Sequence, residues 1–142
     1  MTNPVAAVGA IIFAFLGLWH FYWALGGSIG KAAAIPEIEG CPAFSPSATV
    51  TALVGAALVT FALLLAATSG AVAAPLPDHV LSWLCYGLAL ALFARAVGEF
   101  KLVGFFKRVR GSRFARLDTL VYSPLCLALS VIALQVGHRG VV

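Results

Sequence analysis

The 142-residue chain is 62% hydrophobic and only 10% charged, whereas soluble domains carry about 45–50% apolar and ~25% charged residues. With a mean hydropathy of +1.04 it has too little polar surface to cover a water-soluble globule, and its length allows a single domain, 1–142. The formal net charge of +4 is small, but six of the nine basic residues (Lys101, Lys107, Arg108, Arg110, Arg113 and Arg116) fall between 101 and 116; beside hydrophobic spans such a cluster signals topology or a lipid-headgroup contact, not a nucleic-acid surface.

Four apolar runs reach the roughly 20 residues that cross a ~30 Å hydrocarbon core. The first runs from about Val5 to Gly27. Its first basic neighbour, Lys31, comes after it, so no cleaved signal peptide is expected. A connection rich in Gly and Pro follows, GSIGKAAAIPEIEGCPAFSPS, in which Pro36, Pro42 and Pro46 exclude a continuous helix. The second run spans about 49–69, and a short AVAAPLPD link leads to the third, about 80–100, whose pattern can continue to Phe106. The basic loop, 101–116, precedes the fourth run at about 119–137. All four are apolar all round, which excludes the alternating pattern of a spanning barrel. The expected fold is all-α, an integral membrane four-helix bundle.

With the basic loop on the cytoplasmic side of the inner (plasma) membrane, loops 28–48 and 101–116 are cytoplasmic and both termini lie outside. Arg139 alone opposes this arrangement. The same topology gathers His20, Tyr22 and Trp23 of the first span, Arg95 and Glu99 of the third, and Asp118, Tyr122 and Ser123 of the fourth into one leaflet. A polar cavity is expected there, lidded by the first loop.

The stretches HFYWALGG at 20–27 and GSRFARLDTLVYSPLCL at 111–127, with KRVRG leading into the second, resemble small bacterial membrane proteins grouped as domain of unknown function 3995. The resemblance extends over essentially the whole chain and implies a four-helix membrane protein of bacterial type. It implies no activity, and no catalytic residue comes with it.

Arg95 and Glu99 are four apart, so on one helix they share a face and can pair. Each charge held inside the bilayer costs about 2.5–3.5 kcal/mol on insertion scales. If the third helix ends near Phe100, both side chains snorkel and the pair is structural; if it continues to Phe106, Arg95 lies deep and faces a cavity or partner. Asp118 has two readings: a cap of the fourth helix neutralised by Arg113 or Arg116, or one member of a cavity-lining stripe with Tyr122 and Cys126. Pro124 removes a helix hydrogen bond and frees the Leu120 carbonyl, which the Ser123 hydroxyl can satisfy.

His20 is the one histidine inside a span. A haem would need a second axial ligand at matching depth, and His79 and His138 fall at the opposite face. Zinc needs three or four ligands, which no His/Cys cluster supplies. A hydrogen-bonding role toward Asp118 or Glu99 is expected, with no metal and no cofactor. Trp19, Tyr22 and Trp23 suit an interfacial aromatic belt better than a ligand cage. Gly26/Gly30, Ala52/Ala56 and Gly87/Ala91 carry the small-residue spacing that lets helices approach closely. The three cysteines form no CxxC pair, and nucleotide and metalloprotease signatures are missing.

The pocket candidates are therefore His20, Trp23, Arg95, Glu99, Asp118 and Tyr122. Lys107, Arg108, Arg110, Arg113 and Arg116 are the candidates for anionic headgroup contact. The leading functional expectation is binding or transport of a small anionic or amphipathic ligand, a lipid headgroup included. Membrane lipids are the expected partners, and transport through four short helices implies a homo-oligomer. Two alternatives stand beside it: a membrane-embedded enzyme on a lipid or isoprenoid substrate, with His20, Glu99, Asp118 and Tyr122 as acid/base groups, or a structural or accessory subunit.

Overall fold

The computed structural model describes residues 3–139. Helix α1 (Pro4–Ala24) begins where the Asn3 side chain accepts a hydrogen bond from the Val5 amide at 3.1 Å and where proline occupies the first position, both ordinary helix-start chemistry. Helix α2 (Ala48–Thr68) opens on Ser47, whose hydroxyl accepts from the Val50 amide at 3.2 Å. Helix α3 (Asp78–Val97) follows Pro77. The fourth span, Arg113–Arg139, joins a short helix α4 (Arg113–Leu117), a π-helical turn (Asp118–Tyr122) and helix α5 (Ser123–Arg139). At 20 to 27 residues and 1.5 Å per residue, each is long enough to cross the hydrocarbon core. The chain is an all-α four-helix membrane protein.

The first connection is more structured than its composition suggests. It contains a 3-10 turn at Ala32–Ala34 and a minimal hairpin, β1 (Glu37–Ile38) with β2 (Cys41–Pro42), in register Glu37 to Pro42 and Ile38 to Cys41. Glu39 and Gly40 turn between the strands with φ of 52° and 81°, the left-handed pair that a two-residue hairpin requires.

Two boundaries differ from expectation. Helix α3 ends at Val97, three residues short of Phe100 and well before Phe106, because Gly98 adopts φ 92°. The chain then folds back, and the amides of Phe105 and Phe106 donate to the carbonyls of Ala96 and Val97 at 2.9 and 3.5 Å. Gly98 and Gly104 meet back to back; a Cβ on Gly98 would lie 1.9 Å from the Val103 carbonyl oxygen, and one on Gly104 2.3 Å from that of Val97. No side chain fits at either position. The fourth span also starts at Arg113, inside the expected basic loop, because Ser112 caps it by accepting from the Ala115 amide at 3.0 Å.

Packing is mostly pairwise, α1 with α2 and α3 with α5. Gly17 and Gly55 let α1 and α2 touch: a Cβ on Gly17 would meet the Gly55 carbonyl oxygen at 2.9 Å and the Val59 amide nitrogen at 3.2 Å. On the other pair the Ser130 hydroxyl donates to the Ala89 carbonyl at 2.7 Å. The slender core comprises Phe13, Leu65, Cys85, Leu88, Leu129 and Val136 with small residues between them. Only 22–33% of each apolar stretch is buried within the chain. Side chains such as Ile11, Trp83 and Leu120 therefore point outward into lipid, which an apolar solvent permits without penalty.

Between the lower part of α2 and the start of α3 an open apolar groove of about 540 Å³ remains, lined by Phe61, Leu64, Trp83, Leu84, Gly87 and Ala91. Nothing lies within 4 Å of a Cβ placed on Gly87. Gly17→Ala should therefore cost about 1–3 kcal/mol through overpacking. Gly87→Ala should be neutral or gain up to ~1 kcal/mol from helix propensity. Thermal unfolding of the two variants in detergent measures the difference.

Candidate functional site

The polar residues of α3, the third loop and the fourth span converge on one carboxylate. Asp118 is fully buried. Its Oδ1 accepts from Arg95 Nη2 at 2.8 Å, and its Oδ2 accepts from the Gly104 amide at 2.7 Å and from Lys107 Nζ at 3.0 Å. Lys107, whose side chain is 2% exposed, spends its remaining donors on the Gly104 carbonyl at 3.0 Å and Thr119 Oγ1 at 2.6 Å. The Thr119 hydroxyl in turn donates to the Ala115 carbonyl at 3.1 Å. All three ammonium protons and both carboxylate oxygens have partners, which is the condition for holding charge inside a membrane protein.

Local sequence explains how this network is assembled. The Gly98–Gly104 contact places the Gly104 amide beside the fourth span. Lys107, three residues on, then reaches back to the same carboxylate. The fourth span widens at this level: the Ser123 amide donates to the Asp118 carbonyl five residues earlier. Such π turns are favoured where a helix must accommodate an irregularity, and here Pro124, which has no N–H to donate, follows directly.

Several expectations are corrected by this geometry. Arg95 pairs with Asp118 and not with Glu99, because the helix stops before Glu99; that carboxylate is exposed and caps the Leu102 amide. Asp118 does not cap the fourth helix, since Ser112 does and Asp118 lies beyond the first turn. Neither Arg113 nor Arg116 neutralises it; among the described residues its ion pairs are with Arg95 and Lys107. Lys107 is withdrawn from the basic surface, while Arg108, Arg110, Arg113 and Arg116 remain on it. The Ser123 hydroxyl is buried without a hydrogen-bond partner, so it does not serve the Leu120 carbonyl. His20 bonds neither Asp118 nor Glu99; its Nδ1 lies 2.8 Å from the Leu16 carbonyl oxygen.

Four of the six pocket candidates divide between two places at the same end of the bundle. Arg95 and Asp118 belong to the buried charge cluster. His20 and Trp23 line a separate cavity of about 210 Å³ between α1, α2 and the first loop, with Lys31, Phe44, Thr51 and Val54 in its walls. A carbonyl can only accept, so His20 Nδ1 carries a proton and donates to it. Trp23 is fixed by donation from its indole N–H to the Ile29 carbonyl at 2.8 Å, and the His20 ring packs edge-on against it at 4.9 Å. Tyr122 links the two places: its hydroxyl donates to the Ala33 carbonyl at 3.1 Å, tying the fourth span to the first loop. Of the four acid/base candidates, Glu99 is exposed, Asp118 is enclosed in its ion pairs, and His20 lines the cavity between α1 and α2. Among the described residues no three His, Cys, Asp or Glu side chains cluster in a way that holds a metal ion.

Sequence reasoning missed Gly98, Gly104 and Thr119 as parts of the charge cluster, and Lys31 as a cavity wall. Thr119 adjoins Asp118, a usable signal. Gly104 acts through its backbone amide, which no side-chain pattern reveals.

Fold and site together define a polytopic four-helix membrane protein with a buried ionic staple at one end. Residues 13–133 match the family described as Protein of unknown function (DUF3995), and the chain belongs to that family. No curated protein and no solved structure matches the chain.

Removing the carboxylate should leave two cations facing each other. Asp118→Asn is expected to lower stability by about 3–5 kcal/mol, the usual cost of breaking a buried pair. Lys107→Met should cost more than Arg95→Met, because the Arg95 side chain is 35% exposed against 2% for Lys107. Detergent-solubilised unfolding midpoints rank the three.

Proposed function

We propose that the protein binds a small amphipathic anion in the cavity beneath the first loop, at the cytoplasmic end of the bundle. The observation that carries this reading is the composition of that cavity. Lys31 is its one cationic wall residue, and Trp23 and Phe44 supply aromatic surface beside the apolar Val50 and Val54. A volume of about 210 Å³ equals that of ~7 liquid waters, which limits the ligand to one charged head and a short apolar body. Binding is favoured over passage because Gly17 and Gly55 bring α1 and α2 into contact just below: a Cβ on Gly55 would lie 3.3 Å from the His20 Cβ.

Medium-chain carboxylates, titrated against Trp23 fluorescence in a Trp19→Phe, Trp83→Phe background, test this reading. The neutral alcohols of the same length are the control. Quenching should saturate with the carboxylates and weaken roughly tenfold to a hundredfold in Lys31→Ala, the loss expected for a charge-assisted hydrogen bond. Val54→Trp should abolish it by filling the cavity. Equal response to the alcohols, or none to either substitution, would sink the proposal.

The orientation is part of the same reading. Both charged loops lie at one end, and the basic excess of 101–116 favours the cytoplasmic side. Topology reporters inserted in 28–48 and 101–116 should score as cytoplasmic in the inner membrane, and one fused at the C-terminus as external. A cytoplasmic C-terminus would overturn it.

A further inference from the structure

We infer a second, independent site: the third loop and the start of the fourth span form a seat for the phosphate of an anionic membrane phospholipid, held by Arg110 and Arg116. The inference does not rest on the cavity beneath the first loop and survives its failure.

Charge balance is the first ground. Of the six cations between 101 and 116, Lys107 is consumed by Asp118. Lys101, Arg108, Arg110, Arg113 and Arg116 form no ion pair among the described residues. The nearby carboxylates do not compensate: Asp118 is enclosed, and Glu99 is turned to the Leu102 amide. The buried cluster adds to the excess, since two cations surround one carboxylate. This face needs a counter-ion from outside the chain.

Shape is the second ground. A cavity of about 270 Å³ lies at this face, with Arg110, Gly111, Arg116 and Thr119 on its polar side and Phe105 and Leu120 on its apolar side. The wall also includes Lys107, whose donors are all used internally; it contributes field and no contact. Arg110 is oriented by donation from its Nε to the Lys107 carbonyl at 3.3 Å, which leaves its terminal amino groups available. Guanidinium forks match phosphate oxygens in pairs. Leu120 is 75% exposed on the lipid-facing surface, in position to receive the apolar part of the same molecule. Cations above and lipid-exposed leucine below select a headgroup over a soluble anion, as basic pockets at the ends of spans do.

The test is native mass spectrometry of the full chain extracted from nanodiscs containing equal phosphatidylglycerol and phosphatidylcholine. Wild type should retain one phosphatidylglycerol per chain in preference to phosphatidylcholine. Arg110→Gln with Arg116→Gln should weaken retention roughly tenfold or more. Arg108→Gln with Arg113→Gln, which removes the same charge from outside the cavity, should change it less than about threefold. Circular dichroism before extraction verifies that both variants fold. Equal losses in the two variants would reduce the effect to diffuse charge and overturn the site. No preference for phosphatidylglycerol would do the same, and so would full displacement by millimolar inorganic phosphate, which would mark a soluble-anion site.

Discussion

The carboxylate of Asp118, enclosed between a guanidinium and an ammonium, is the constraint on which this end of the molecule depends. A charge in hydrocarbon is costly unless it is paired, and the pairing here draws on three chain segments. Arg95 comes from α3, Gly104 and Lys107 from the loop, and Asp118 and Thr119 from the fourth span. Each partner carries a structural condition with it. The Gly104 amide is presented only because Gly98 turns the chain out of helix and the two glycines pack without side chains. The π turn keeps Asp118 facing inward just before a proline that an α-helical ladder would not accommodate.

The cluster engages every ammonium proton of Lys107 and both oxygens of Asp118, and leaves Arg95 Nη1 buried without a hydrogen-bond partner. It fixes the loop, and the loop in turn presents its arginines as an ordered array. The two proposed binding surfaces lie outside it. One is the aromatic cavity under the first loop; the other is the arginine-lined recess at the head of the fourth span. The Tyr122 hydroxyl on the Ala33 carbonyl holds the two within one framework.

The spans were legible because burial in lipid demands long apolar runs, and no other fold satisfies that demand. Their ends were less so. Beyond Glu99 and Lys101 the third run turns apolar again at Leu102, Val103, Phe105 and Phe106, so hydropathy does not show that a left-handed glycine at 98 stops the helix. That one backbone angle changed the partner of Arg95. Spacing along a helix pointed to Glu99, four residues on, whereas the real partner lies 23 residues away across a loop. Convergence of His20, Arg95 and Asp118 at one end followed correctly from topology. Their separation into two sites depended on which helices pack tightest, and small residues such as Gly17 and Gly55 settle that through contacts that composition does not display.

The back-to-back glycines also bear on how the chain is made. The third span and its loop emerge during synthesis before Asp118 exists. At that stage Arg95 and Lys107 are like charges with no counter-ion, so they repel each other and stay hydrated. The fourth span supplies the carboxylate that pairs with both, beside the loop whose Phe105 and Phe106 amides donate to the carbonyls at the end of α3. The loop is thus held from both directions in the sequence, by the end of α3 before it and by the fourth span after it.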